Sequence, residues 1–417
     1  MTSNEAPPRP LRRILVISPV GELGGAERAL IDFIASARET RPELEFHVLL
    51  FADGPLASEV EQLGATVSVL PLSHRLHTLG DSGLLKDSRR YRAIRLIWAL
   101  LRAAPGLGAF LLALRSEILR REPDVVHSNG MKAHLLSGLA VPSRIPLIWH
   151  MHDFLSERPL AQRCLKLTAR RANAVIAISR SVAEDTRRVL PSIRIETLLN
   201  AVDVKAFSPG PSTGTELDRL SGLKVPLDRT LRIGLVATYA RWKGQDVFLR
   251  AAARVHRTLP SQHLRFYVIG GPIYATDASQ FSSAELNALI GELGLWGTAG
   301  LIPFQRELLS VLRSLDIFVH ASSRPEPFGR SIVEAMACSR PIVVAAGGGA
   351  GEIVDAGRTG LTHAPGDVDG LAAALRTLIE SEPLRDRLAV EGRRVAIERF
   401  SRVRLGPALI ALYLSLL

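Results

Sequence analysis

Cysteine and aromatic residues are scarce in this chain. It has two cysteines among 417 residues, and only 5% of its residues are aromatic. Cys164 and Cys338 are too few for a disulfide framework, and no group of Cys and His residues has the spacing of a structural zinc site. This composition favours a reducing cytoplasm over a secreted, disulfide-stabilised domain.

Long hydrophobic runs are also lacking. The most apolar helical stretch, Ala103 to Leu114, contains a proline and lies between arginines, whereas a membrane span needs about 20 apolar residues. The first residues, MTSNEAPPRPLRR, carry prolines and charges rather than the apolar core of a signal peptide. We therefore expect neither export nor a membrane-spanning helix.

Positive charge is in excess. The 52 Lys and Arg residues outnumber the 41 Asp and Glu residues, which gives a formal net charge of +11. Such a balance favours anionic partners, namely nucleotides, nucleic acid or an acidic membrane face. Much of the excess lies in residues 89–121, where arginines alternate with apolar residues at helical spacing. This segment is either an amphipathic helix resting on a membrane or an ordinary helix with solvated arginines.

Short β-branched runs alternate with helical patterns along the chain. The predicted strands cover residues 13–18, 45–50, 66–70, 124–128, 146–150, 174–178, 195–199, 231–237, 264–269, 299–304, 316–321 and 341–346. This rhythm is typical of βαβ crossovers, so we expect an α/β fold with two Rossmann-like, doubly wound parallel sheets in tandem.

The composition also suggests domain boundaries. We expect a first domain over residues 11–200 and a second over 231–396. Residues 201–230 are rich in Pro, Gly, Ser and Asp and are predicted to be a linker. The chain from Asp367 onward shows only helical patterns, and residues 397–417 are expected to pack back towards the first domain.

A glycine pair follows the first predicted strand. Gly24 and Gly25 precede a helix predicted to begin near Ala26, and such a turn lets backbone amides approach an anion at a helix N-terminus. The spacing differs from the dinucleotide-binding fingerprint, and no acidic residue clearly ends the second strand. The motif is therefore either an anion site or a simple turn.

Two basic residues, Arg241 and Lys243, lie between the strand predicted at 231–237 and a helix beginning near Gly244. Positive side chains beside a helix N-terminus would stabilise a diphosphate, and also the charge that develops on it as a leaving group. The alternative is that both are solvated loop cations.

Two carboxylates, Glu326 and Glu334, flank the start of another helix. Prolines on both sides keep the chain extended around Glu326, and the helix is predicted to begin near Phe328 or Gly329. Glu334 would then lie about two turns into the helix, roughly 10 Å from Glu326 and too far to share a proton. Glu334 could accept hydrogen bonds from a ribose, Glu326 could bind hydroxyls of a transferred group, and amides up to Ser331 could hold phosphate.

The stretch RPEPFGRSIVEAMA resembles the signature of glycosyltransferase family 4, whose members are retaining enzymes of the two-domain GT-B architecture that use nucleotide-activated sugars. Other segments agree with the family in order and spacing: GGAER, DVVHSNG, WHMHDF, NAVDVKAFSP, RWKGQD, VIGGP and GGGAGEIVDAGRTGL. The resemblance covers nearly the whole chain and implies two sheets that face a cleft.

The resemblance also implies a role for the candidate residues. Glu326 would contact the donor sugar, Glu334 the ribose and Lys243 the phosphate. Gly24 and Gly25 would lie beside the diphosphate.

His152 matches the family histidine that faces the reaction centre, whereas His150, still within its strand, is expected to be structural. The family usually has an arginine five residues before the lysine, where this chain has Thr238. We hypothesise that Arg241 supplies the missing charge. The remaining donor-binding candidates are Thr238, Phe328, Gly329, Arg330 and Ser331.

The activity implied by the resemblance is that of a retaining hexosyltransferase. It would move sugar from a nucleotide diphosphate sugar to a hydroxyl of a glycan or lipid-linked acceptor, in cell-envelope polysaccharide or lipopolysaccharide biosynthesis. Neither cofactor nor metal is expected, since no DxD-type motif ends a strand. The expected location is the cytoplasm, with peripheral contact at an anionic membrane and no nucleic-acid partner. The alternatives are a nucleotide-sugar 2-epimerase of the same architecture and a catalytically silent sugar-nucleotide-binding subunit.

Overall fold

The computed structural model describes residues 10–73, 106–226, 229–272 and 279–417. The chain forms two compact units, one of Met1–Asn200 with Arg402–Leu417 and the other of Ala201–Ser401. Of the arginine-rich segment, the part before residue 106 lies outside the described residues, and residues 106–121 are helical. Within the described ranges, no helix is both long and apolar enough to span a bilayer.

The first unit contains a sheet of seven parallel strands in the order β3-β2-β1-β4-β5-β6-β7. The strands are β1 (Arg13–Ser18), β2 (Glu45–Leu50), β3 (Thr66–Val69), β4 (Val125–Asn129), β5 (Leu147–Met151), β6 (Ala174–Ala177) and β7 (Ile195–Thr197). All residues of the central strands β4 and β5 are buried, as expected where helices cover both faces of a parallel sheet. The strand order reverses between β1 and β4.

Helices of the first unit connect these strands. They are α1 (Gly25–Thr40), α2 (Leu56–Gln62), α3 (residues 106–121), α4 (Met131–Ala140), α5 (Pro159–Thr168) and α6 (Arg180–Val189). Helix α1 begins one residue before the predicted start.

The second unit contains a sheet of six parallel strands in the order β10-β9-β8-β11-β12-β13. The strands are β8 (Leu231–Val236), β9 (Leu264–Ile269), β10 (Ala299–Ile302), β11 (Ile317–His320), β12 (Ile342–Ala345) and β13 (Leu361–His363). The helices are α7 (Thr215–Leu220), α8 (Gln245–Thr258), α9 (Ser283–Glu292), α10 (Leu309–Arg313), α11 (Arg330–Ala337), α12 (Gly349–Ile353), α13 (Val368–Glu380) and α14 (Glu382–Phe400). The two parallel sheets confirm the predicted fold class.

Residues 201–230, predicted to be a linker, fall inside the second unit. Asp218 on α7 is fully buried and accepts hydrogen bonds from Arg232 Nη2 at 2.8 Å and the Tyr267 hydroxyl at 2.6 Å. These partners lie on β8 and β9, so the segment is anchored to the sheet of the second unit. A buried ion pair thus holds the part of this segment around α7, although the composition of the segment is loop-like.

The last helix, α15 (Leu405–Leu414), packs on α1 within the first unit. The two helices approach each other closely at Gly406, whose amide donates to Ser36 Oγ at 2.8 Å. A Cβ at Gly406 would collide with the Ser36 carbonyl and the Thr40 hydroxyl. Gly406 therefore sets the distance between these helices.

We expect Gly406→Ala to lower the free energy of unfolding by about 1–3 kcal/mol, because the added methyl overpacks the contact between α1 and α15. Gly108→Ala on α3 is the matched control, since a Cβ there meets nothing within 4 Å. It should be neutral or stabilising, as Ala is a better helix former than Gly. Urea unfolding of both variants tests this, and equal stabilities would contradict the close approach at Gly406.

Candidate active site

A lysine–glutamate pair lies at the carboxyl ends of two neighbouring strands in the second sheet. Lys243 closes a short 3₁₀ turn, Arg241–Lys243, after β8, and Glu326 lies in the loop after β11. Lys243 Nζ is 2.8 Å from Oε1 and 2.7 Å from Oε2 of Glu326. Because the strand order reverses between β8 and β11, the pair occupies the position where open α/β sheets bind ligands.

The glycine-rich loop after β12 fixes the backbone of Glu326. The Glu326 amide donates to the Gly347 carbonyl at 3.1 Å, and its carbonyl accepts from the Gly349 amide at 2.7 Å. A Cβ on Gly347 would crowd Pro325 and Pro365, so only glycine fits there. The loop therefore sets the place from which the Glu326 side chain reaches Lys243.

Two further residues contact the Glu326 carboxylate, and the sequence analysis missed both. His320 Nε2 lies 3.3 Å from Oε2, and Ser322 Oγ lies 3.1 Å from the same oxygen. Ser322 Oγ is also 3.0 Å from His320 Nε2. The available signal was a pair of polar residues at the end of an apolar run, directly before the signature.

Glu326 remains ionised in this setting. Burial by itself would raise its pKa, but the Lys243 ammonium and the hydrogen bond from His320 outweigh burial and lower the pKa to about 2. An ionised carboxylate can only accept hydrogen bonds. Glu326 is therefore suited to binding hydroxyl groups and unsuited to acting as a general acid near neutral pH.

Helix α11 begins at Arg330, later than predicted, after Gly329 with φ of 98° in the left-handed region. Glu334 consequently lies about one turn into the helix, not two. Its Oε1 is 3.4 Å from Nη2 of Arg330, and Nη1 of Arg330 donates to the Ala201 carbonyl at 2.7 Å. Arg330 thus connects the start of α11 with Glu334.

Phe328 and Ser331 flank this helix start. Phe328 is only 3% exposed, and its ring packs edge-on against Phe400 with centroids 5.9 Å apart. Its side chain therefore contributes packing, which gives no support to a direct contact with a donor. Ser331 is half-buried in the first turn, where backbone amides point out of the helix and can bind an anion.

Arg241 contacts residues other than the lysine–glutamate pair. Its Nη2 lies 2.5 Å from Glu285 Oε1 at the start of α9, and its guanidinium lies 4.4 Å from the Phe281 ring centroid. The backbone carbonyl of Thr238 accepts from Gln245 Nε2 at 2.6 Å. This arrangement does not support the hypothesis that Arg241 reaches back to replace an arginine at position 238, because Glu285 already engages its charge.

In the first unit, Gly24 and Gly25 form the N-terminus of α1. The Gly24 amide donates to the Glu27 carboxylate at 3.1 Å, so Glu27 caps the start of the helix. A Cβ on Gly25 would meet nothing within 4 Å, so packing does not require glycine there. A Cβ on Gly21 would instead collide with the loop after β2, so Gly21, which the sequence analysis passed over, shapes this turn.

His152 lies just beyond β5 and is partly exposed. Its Nε2 is 2.6 Å from Asn129 Oδ1 at the end of β4, a partner that the sequence analysis missed. His150 is fully buried, with its Nδ1 3.3 Å from His127 Nε2, and burial lowers its pKa well below the ordinary value. Asn129 thus orients the histidine nearer the surface, whereas His150 is part of the core.

The described residues contain no group of three or more His, Cys, Asp or Glu side chains placed to hold a metal ion.

The candidate residues form two groups, one in each unit. Lys243, Glu326 and Glu334 lie in the second unit, and Gly24 and His152 lie in the first.

Both halves of the chain match known glycosyltransferase families. Residues 226–395 match the family described as Glycosyl transferases group 1, and residues 55–206 match Glycosyltransferase Family 4. The chain belongs to the group 1 glycosyltransferases of family 4. Its two parallel-sheet units are accordingly those of the GT-B fold.

Curated relatives of this glycosyltransferase include D-inositol 3-phosphate glycosyltransferase from Corynebacterium kroppenstedtii, which is 34% identical over 46% of this chain and 42% of that protein. This chain therefore spans less than half the length of that relative. Alpha-maltose-1-phosphate synthase from Mycolicibacterium smegmatis is 28% identical over 69% of this chain and 78% of that protein.

Solved structures similar to this glycosyltransferase include Anabaena HepE in complex with UDP and glucose. It is 27% identical, has a TM-score of 0.76, and the match covers 97% of this chain and 99% of HepE. HepE in complex with UDP-glucose has the same TM-score at 26% identity, with coverage of 97% and 100%.

Proposed function

We propose that this glycosyltransferase moves a hexose from a nucleotide diphosphate sugar to a hydroxyl group of an acceptor, with retention of anomeric configuration and without a metal ion. The observation that carries the proposal is the pair of a partly exposed Lys243 and a buried Glu326 at the strand reversal of the second sheet. The pair places a cation that can bind phosphate beside an ionised carboxylate that can accept hydrogen bonds from sugar hydroxyls. The UDP and UDP-glucose complexes of HepE support a nucleotide-sugar donor.

Each group has a proposed role. Lys243 and the N-terminal amides of α11 would bind the diphosphate, and Glu326 would accept hydrogen bonds from the hexose. Glu334, 4% exposed, would accept from the ribose. His152, oriented by Asn129 in the first unit, keeps its proposed catalytic role. In this arrangement fixed positive charge stabilises the leaving phosphate, the task that a divalent metal performs elsewhere.

Retention follows if the acceptor hydroxyl attacks from the face that the phosphate leaves. The departing phosphate would then take the acceptor proton. Glu326, the carboxylate that contacts Lys243, is a poor base because its pKa is lowered. The bond from sugar to phosphate breaks as the bond to the acceptor oxygen forms. Lys243 would stabilise the charge on the phosphate during this step.

The acceptor completes the proposal. We propose a hydroxyl of a glycan or lipid-linked glycan, with the reaction at the cytoplasmic side of an anionic membrane. The names of two relatives mention inositol 3-phosphate and maltose 1-phosphate, so phosphorylated polyols and sugars belong among the acceptors tested.

The experiment is release of nucleoside diphosphate from UDP-, GDP- and ADP-sugars, with and without membrane-extracted glycolipids, inositol phosphates or glucose 1-phosphate. Acceptor-dependent release and an α-linked product from an α-linked donor are expected. Conversion of the donor into its 2-epimer without acceptor would identify an epimerase instead. Binding of a donor without turnover on any acceptor would favour a catalytically silent subunit, and an inverted product would refute retention.

A further inference from the structure

Lys243 contacts the same carboxylate that the proposed function assigns to the donor sugar. Its Nζ lies 2.8 and 2.7 Å from the two oxygens of Glu326, and its side chain is only 20% exposed. A carboxylate at this distance cancels most of the field of the ammonium. A diphosphate entering the site therefore meets a nearly neutral pair, and Lys243 acts on the phosphate with its full charge only after it leaves Glu326.

Lys243 is the partner of Glu326 best able to move. Its ammonium lies at the end of a flexible four-carbon chain, which lets it change position. The ammonium is 4.1 Å from the centroid of the Trp242 ring. His320 and Ser322 are short, buried side chains, 7% and 0% exposed, held at the end of β11. Both lie within 3.3 Å of Oε2 of Glu326. The carboxylate thus keeps two hydrogen-bond partners when the ammonium leaves.

The second ring nitrogen of His320, Nδ1, also bears on the role of this residue. Nδ1 is buried and has no hydrogen-bond partner among the described residues. The ring therefore makes its side-chain hydrogen bonds through Nε2, towards Glu326 and Ser322. A histidine with one nitrogen left unsatisfied in this way is better explained by its contact with the carboxylate than by packing alone.

We infer that His320 is a positioning residue: together with Ser322 it holds the Glu326 carboxylate in place while Lys243 passes from Glu326 to the phosphate of the donor. The inference rests on the proposed function, because it requires a diphosphate at Lys243. Loss of the His320 bond would make Glu326 depend more on Lys243, so His320 would influence phosphate binding without touching the nucleotide.

The first test is calorimetric titration of the full chain with UDP, GDP and ADP, which lack the sugar. Glu326→Gln should bind the preferred diphosphate more tightly than wild type by roughly three- to tenfold, because a neutral amide no longer holds the ammonium. Sugar transfer by the same variant should fall. In a Lys243→Gln background, Glu326→Gln should raise diphosphate affinity by clearly less, because only the direct repulsion between carboxylate and phosphate is then removed.

The second test uses His320 itself. His320→Ala should weaken diphosphate binding, and this loss should vanish in the Glu326→Gln background. His320→Gln should restore affinity, because its amide nitrogen can donate from nearly the position of Nε2. A histidine that only supported the fold would affect both backgrounds alike.

The outcomes separate the inference from the function on which it rests. If wild type binds none of the three diphosphates, both fall. If wild type binds one and Glu326→Gln binds it no more tightly, the inference is overturned while the proposed function stands. Should Glu326→Gln fail to fold, equal affinities of His320→Ala and His320→Gln would overturn the inference.

Discussion

Replacing Lys243 with methionine should reduce sugar transfer by roughly 10²–10³-fold, the loss typical when one preorganised group that stabilises transition-state charge is removed. Methionine keeps much of the apolar length of the side chain but brings no charge to the leaving phosphate. It also removes the ammonium that keeps the pKa of Glu326 low, so this buried carboxylate would become harder to ionise.

Steady-state kinetics with a saturating acceptor measure this effect. Lys224→Met is the matched control, since Lys224 is exposed in the same unit and its substitution makes the same change in charge. We expect the control to retain wild-type turnover. Loss of affinity alone, with kcat unchanged at saturating donor, would mean that Lys243 binds the ground state without stabilising the leaving phosphate.

The fold was largely predictable because its signal is local and repeated. Each buried parallel strand is a short β-branched run followed by a helical pattern, and every predicted strand is present. One strand, Leu361–His363 at a sheet edge, was not predicted. Its three residues are too few to show a hydrophobic periodicity. The buried contacts of Asp218 with Arg232 and Tyr267 were not predicted, because local composition carries no information on contacts between residues distant in sequence.

The individual residues of the site were predicted from the sequence, but the ion pair between Lys243 and Glu326 was not. Lys243 and Glu326 were assigned to phosphate and sugar, yet they contact each other across 83 positions of sequence. Arg241 is predicted to lie near the phosphate, and its ion pair with Glu285, 44 positions away on α9, was not predicted. His320 was read as part of a strand, because its role depends on a carboxylate that only the folded loop brings to it.

Gly244 carries the second large expected effect. Its φ of 75° lies in the left-handed region, and it separates the turn of Lys243 from helix α8. A Cβ there would collide with the backbone carbonyl of Ala321, which no change of side-chain rotamer could relieve. The Ser323 amide also donates to the Trp242 carbonyl at 2.8 Å, so the loops after β8 and β11 are tied together at this point.

Gly244→Ala should therefore lower the free energy of unfolding by more than about 3 kcal/mol and should also abolish transfer, because the clash displaces the turn that carries Lys243. Gly222→Ala is the matched control, with φ of 72° and nothing within 4 Å of an added Cβ. Gly222→Ala would lose only the cost of an alanine in the left-handed backbone region, about 1–2 kcal/mol, and should remain active. Urea unfolding with a transfer assay on both variants measures the difference. If the two variants lost equal stability, backbone strain alone would explain Gly244, and the loops would not need this close approach to form the site.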